Sequence, residues 1–182
     1  MSADQFEFFL TEARAGWLES RIVHNSSHYD LSVNRNFSDP IKDLFCCMCD
    51  LYGADAASWP GNRYRHTEFE WGGEGWLYSW LMEPTPDNKI AVKVAFKGKR
   101  EVGGPEHQVW DIEAVTHWRP LASQIFNQAA ELLWMYGFSG YYDRWGKDFP
   151  AGHMMRLGHL LHDQPMDLDD FARELGYLAE TR

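Results

Sequence analysis

The period of the hydrophobic pattern changes along this chain, and that change limits the fold more than any other feature. Up to residue 116 apolar residues recur mostly at every second position, and from Trp118 they recur at every third and fourth. A period of two places alternate side chains on opposite faces of a strand, whereas a period of 3.6 gathers them on one stripe of a helix. The cleanest alternation lies in Lys89–Lys97, with Ile90, Val92, Val94 and Phe96 on one face and Lys89, Lys93 and Lys97 on the other. Gln5–Glu12 and the segment with Tyr29, Leu31 and Val33 also alternate, Trp17–His24 alternates less cleanly, and Asn25-Ser26-Ser27 is a turn cluster. Arg63–Trp71 and Gly75–Glu83 flank Gly72-Gly73-Glu74 and read as a hairpin, and Gln108–Val115 reads as the last strand.

One helix interrupts the strands. Ser38 or Asp39 can cap it, Pro40 suits its first position, and Ile41, Leu44, Phe45, Met48, Leu51 and Tyr52 follow at helical spacing. The spacing predicts a helix over 39–52 and a loop over 54–62. After Trp118 the stripe Leu121, Ala122, Ile125, Phe126, Ala129, Leu132, Leu133 and Tyr136 ends at Gly137. Pro150 opens a helix with Met154, Leu157 and Leu161, and Asp167 caps one with Leu168, Phe171, Leu175 and Leu178. The expected architecture is a single α+β domain over 1–182, strand-rich over 1–116 and helical over 117–182. Its helices would pack on one mostly antiparallel sheet of about six to seven strands.

A chain of 182 residues with 17 Lys+Arg against 27 Asp+Glu carries a net charge of −10, which argues against general nucleic-acid binding and binding to anionic membranes. No apolar run reaches the roughly 18 residues that cross a bilayer, so no membrane span is expected. Met1–Gln5 has neither a basic stretch nor an apolar run of the secretory kind, and the three cysteines, Cys46, Cys47 and Cys49, sit within one element. A cytoplasmic setting is the expectation.

None of the groupings that could carry chemistry has the spacing its chemistry requires. The C-x-x-C of Cys46 and Cys49 falls well inside the predicted helix, away from the N-terminal dipole that would favour a thiolate; no second C-x-x-C exists, and a zinc site would need His24 or His28 to complete the set. His159 and His162 stand three apart without an H-E-x-x-H, and His153 lies on another face. Asp163, Asp167, Asp169 and Asp170 miss the calcium-loop pattern and suit a helix start. Glu68, Glu70, Asp111 and Glu113 are alternating carboxylates on strands, where water is their ordinary partner. Gly72, Gly73 and Gly75 lie between strands, so they cannot cradle a phosphate at a helix start. The sequence therefore names no catalytic residue, no metal ligand and no cofactor.

The aromatic set is more distinctive. Nine tryptophans are present, with Trp71, Trp76, Tyr78, Trp80 and Trp110 on neighbouring strands and Trp134, Tyr136, Tyr141, Tyr142 and Trp145 clustering later. Tryptophan and tyrosine fill cores and also dominate protein interfaces. Trp76, Tyr78, Trp80, Tyr141, Tyr142 and Trp145 are the candidate binding residues, with the intramolecular core as the competing use.

Three stretches carry a resemblance: Ser38-Asp39-Pro40-Ile41, Trp59-Pro60-Gly61-Asn62-Arg63-Tyr64, and Tyr142 through Pro150. Their layout resembles small acidic cytoplasmic bacterial α+β proteins of unassigned biochemistry, some of them similar to immunity proteins that neutralise a neighbouring toxin. The resemblance implies a non-catalytic protein-binding protein with a protein partner such as a toxin, and it transfers no site. The alternative is an enzyme or small-ligand-binding domain built from dispersed residues, with His24, His28, His66 and Glu68 beside aromatics. A homo-oligomer with the aromatics at a two-fold interface is a third reading.

Overall fold

The computed structural model describes residues 6–52, 67–99 and 106–163, with side chains over 6–52, 67–98 and 108–163. The loop expected over 54–62, the strand start at Arg63 and the helix expected from Asp167 lie outside the described residues. The elements are β1 (Phe6–Arg14), β2 (Trp17–His24), β3 (Ser27–Asn34), α1 (Pro40–Leu51), β4 (Glu68–Gly72), β5 (Trp76–Thr85), β6 (Lys89–Lys99), β7 (Glu106–His117), α2 (Trp118–Trp145) and α3 (Ala151–Leu161). The fold is α+β and its strand pairs are antiparallel, as the periodicity predicts.

The expectation of one sheet is corrected. The strands form two sheets, β1-β2-β3 and β4-β5-β6-β7. Helix α1 separates them in sequence, and β3 and β4 lie close without forming a ladder. Alternation assigns each side chain to a face, but it does not say which strands share hydrogen bonds.

Tight turns set the register of the first sheet. Ala15-Gly16 and Asn25-Ser26 all have positive φ, the geometry of two-residue hairpin loops that match strand twist. A bulge at Thr11 shifts the pairing between Leu10 and Glu12, so that Phe6, Phe8 and then Ala13 are buried despite the odd spacing. The inner faces of the two sheets meet through aromatic rings. Phe8 lies 6.0 Å from both Trp71 and Trp80, and Trp17 stacks on Trp76 at 5.8 Å. Leu18, Ile22, Leu31, Val92 and Val94 fill the same core, each at most 1% exposed.

Among the described residues, side chains bond to three of the four sheet edges. On β1, Gln128 accepts from the Leu10 N–H and donates to the Phe8 carbonyl, and Gln124 accepts from the Phe8 N–H at 3.0 Å. A primary amide presents one donor and one acceptor side by side, so Gln128 stands in for the backbone of a missing strand. On β3, the Trp76 indole donates to the Ser32 carbonyl at 2.9 Å and the Tyr78 hydroxyl accepts from the Ser32 N–H at 3.3 Å. On β4, the buried Ser38 hydroxyl donates to the Glu70 carbonyl and accepts from the Gly72 N–H. These bonds satisfy edge groups that would otherwise template pairing with another chain.

The helices gather against both sheets. Asp39 is the N-cap of α1 and Pro40 begins it, as the sequence predicts. Its buried face meets β5 through Cys47 and Met82, and its Met48 carbonyl accepts from the Trp118 indole at 2.9 Å. Helix α2 runs along β1 and breaks at Gly137, whose φ of 65° and ψ of 175° lie outside the helical region. Gly146 ends α2 in the left-handed conformation, and a Cβ there would lie 2.2 Å from the Arg35 guanidinium. The Gly16 N–H donates to the Arg144 carbonyl, so the β1–β2 turn is fastened to the end of α2. No helix of the described residues is long and apolar enough to cross a membrane.

Candidate protein-binding face

The first part of α2 buries Leu121, Ala122, Ile125, Ala129 and Leu132. A residue two positions from the end of such a stripe is rotated by about 200°, onto the opposite side. Trp134 occupies that position relative to Leu132 and is 93% exposed, with Met135 beside it at 64%. An indole on water exposes a large apolar surface that folding gives no reason to leave there. Ala130, Glu131, Trp134 and Met135 line an apolar shelf of about 560 Å³.

Glu131 also lines a second, adjoining concavity. This trough of about 650 Å³ runs between α2 and the outer face of the first sheet. Phe9, Leu10 and Val23 give it an apolar lining, and Glu7, Arg21, His28, Gln128 and Glu131 supply its polar groups. Arg21 is held by Asp30 at 2.6 Å, and this bond raises the guanidinium pKa further, so its charge is fixed. The combined face is apolar and aromatic, with the carboxylates of Glu7 and Glu131 among its polar groups.

The candidate binding residues named from the sequence are placed differently. Trp80, Tyr141 and Trp145 are at most 1% exposed and Tyr78 is 4% exposed, so these four pack in the core. Tyr78 and half-buried Trp76 hold the β3 edge. Tyr141 packs edge-on against Phe149, and burial followed by the charge of Asp39 raises its hydroxyl pKa. Tyr142 alone of the six is exposed, at 52%. The structure thus brings Trp76, Tyr78 and Trp80 together along β5, and Tyr141 and Trp145 together on α2, but does not join them into one surface. Trp134, absent from that set, was findable, because it stands off the apolar stripe of its own helix.

The groups weighed for chemistry do not assemble into a reactive centre among the described residues. Cys46, Cys47 and Cys49 are free thiols inside α1. Burial raises the pKa of each, that of Cys49 to about 12, which disfavours the thiolate and makes none of them an activated nucleophile. No group of three or more His, Cys, Asp or Glu among the described residues could hold a metal ion. Of the dispersed set, His28 lines the trough, the His24 ring bonds to Asn25, Glu68 stands exposed on β4, and His66 lies outside the described residues. Glu113 pairs with Lys93 across β6 and β7 at 3.2 Å, and Asp163 pairs with Arg119 at 3.0 Å. Comparison with protein-family models and with curated proteins finds no match.

Proposed function

We propose that the chain is a non-catalytic protein-binding protein that engages its partner through the Trp134 face of α2. The observation that carries this reading is the 93% exposure of Trp134 beside Met135, next to a trough lined by Phe9, Leu10 and Val23. Exposed tryptophan is the residue type most enriched among interface hot spots, where a partner pocket removes it from water. The net charge of −10 favours a basic partner, whose approach an acidic surface accelerates. A basic toxin neutralised by a bacterial cytoplasmic immunity protein is the partner class that joins these features to the sequence resemblance.

The test is comparative capture from the source cells with the wild-type chain and with Trp134→Ala. The wild type should retain a basic protein at low salt that the variant does not. With that protein purified, the variant should bind it about 30-fold more weakly, the loss of one hot spot of about 2 kcal/mol. Equal retention by both proteins would remove the Trp134 face from the reading.

A further inference from the structure

Among the described residues β7 pairs with β6 and has no strand on its other side. It differs from β1, β3 and β4, whose free edges are occupied by Gln124 and Gln128, by Trp76 and Tyr78, and by Ser38. No side chain of the described residues is bonded along the β7 edge in that way. Its inward residues Ile112 and Ala114 belong to the core, while Val109, Asp111, Glu113 and Val115 face outward and are exposed. A bulge at Val109 disturbs one end of the strand, leaving the stretch after it regular.

The outer face of this sheet carries charge in rows. Lys89, Lys93 and Lys97 form a basic row on β6, and Asp111 and Glu113 form an acidic row on β7. Oppositely charged residues on neighbouring strands attract, and like charges directly opposite repel. A second copy of this chain added at β7 would set Asp111 and Glu113 against the same carboxylates. A strand with lysine or arginine at alternate positions would extend the pattern to basic, acidic, basic.

We propose that β7 is a docking edge for an extended basic segment of a protein partner, which adds to the second sheet as a fifth strand beside residues 110–116. The backbone ladder supplies the attachment, Asp111 and Glu113 select alternating cations, and the intervening apolar side chains lie beside Trp110, Ile112 and Ala114. The inference rests on the protein-binding reading but uses a surface separate from Trp134.

The probe is a capped synthetic peptide alternating lysine and valine, added to the full chain at low ionic strength. It should slow hydrogen exchange at those amides of residues 110–116 that point away from β6. A peptide of equal charge carrying N-methyl groups on alternate residues should bind at least tenfold more weakly, because it cannot complete the ladder. The double variant Asp111→Lys, Glu113→Lys should lose the binding, with its circular dichroism unchanged, and Trp134→Ala should retain it. Three results overturn the proposal: no binding, equal binding by the methylated peptide, or protection of β7 by self-association of the chain. Protection of β7 with no effect of Trp134→Ala on partner capture would leave this edge standing while the Trp134 face falls.

Discussion

Asp39 shows how one residue can serve a helix and burden the fold at once. It sits at the N-cap of α1, yet its side chain makes no capping bond and its Oδ1 is buried without a hydrogen-bond partner. Burial raises its carboxyl above the usual carboxylate range, against the opposing pull of Lys147. A folded-state pKa above the unfolded value means that the folded chain holds this proton more tightly. The resulting penalty is complete at pH values above the folded pKa and is relieved as pH falls through it. Asp39→Asn removes the charge, so the variant should be more stable than wild type at pH 7, with the gain vanishing under acid. Urea midpoints measured from pH 7 down to pH 3 check the sign, and a variant less stable at pH 7 would contradict it. The helix start was legible because Ser38, Asp39 and Pro40 are local signals. The burden on Asp39 was not, since it comes from burial in the folded chain, and Lys147, which opposes it, lies more than a hundred positions away. Trp134 is the opposite case, in which position relative to Leu132 already places the ring on the wrong side of the stripe for a core residue.

At the scale of elements, two glycines three positions apart in α2 should respond to alanine with opposite signs. Gly137 holds φ 65° and ψ 175°, a region that only glycine occupies freely, and no heavy atom lies within 4 Å of a Cβ placed there. Gly137→Ala therefore meets backbone strain alone, about 1–3 kcal/mol of lost stability. Gly140 lies within the helical part, where a Cβ would touch Tyr136 Cβ at an ordinary 3.6 Å. Gly140→Ala should raise stability by about 0.5–1 kcal/mol through the lower entropy of the unfolded chain. Thermal melts of the two variants decide the matter, and a stabilising Gly137→Ala would show that the break in α2 is not held by glycine. The break itself was legible, because the apolar stripe ends at Gly137. The division of the strands into two sheets was not. Trp76 and Tyr78 look from the sequence like residues of a covered central strand, which β5 is within its own sheet. That they also bind the Ser32 backbone of β3 follows from the approach of two sheets, which no local period encodes.

At the scale of the whole molecule, the cysteines of α1 report on whether sheets and helices separate together. Cys47 is fully buried, with its Sγ 3.5 Å from Met82 Sδ on β5, and Cys49 is 7% exposed. Trp118, Leu121 and Leu157 from α2 and α3 belong to the same core. A thiol reagent needs the thiolate and a path to it, and burial removes both by raising the pKa and covering the sulfur. Cys46, on the half-buried side of the helix, is the thiol that reagents reach first. If the two sheets and the helices form one cooperative unit, Cys47 and Cys49 become reactive only when the entire core opens. Their labelling should then follow the same urea dependence as the loss of buried tryptophan fluorescence, with Cys46 labelled well before. Mass spectrometry of peptides after pulse labelling across a urea series resolves the three positions. Coincident midpoints for Cys47, Cys49 and fluorescence would establish a single core spanning both sheets. Labelling of Cys47 before the fluorescence change would mean that α1 detaches while the aromatic contacts between Phe8, Trp71 and Trp80 persist, and the two-sheet core would then be stable without its helical cover.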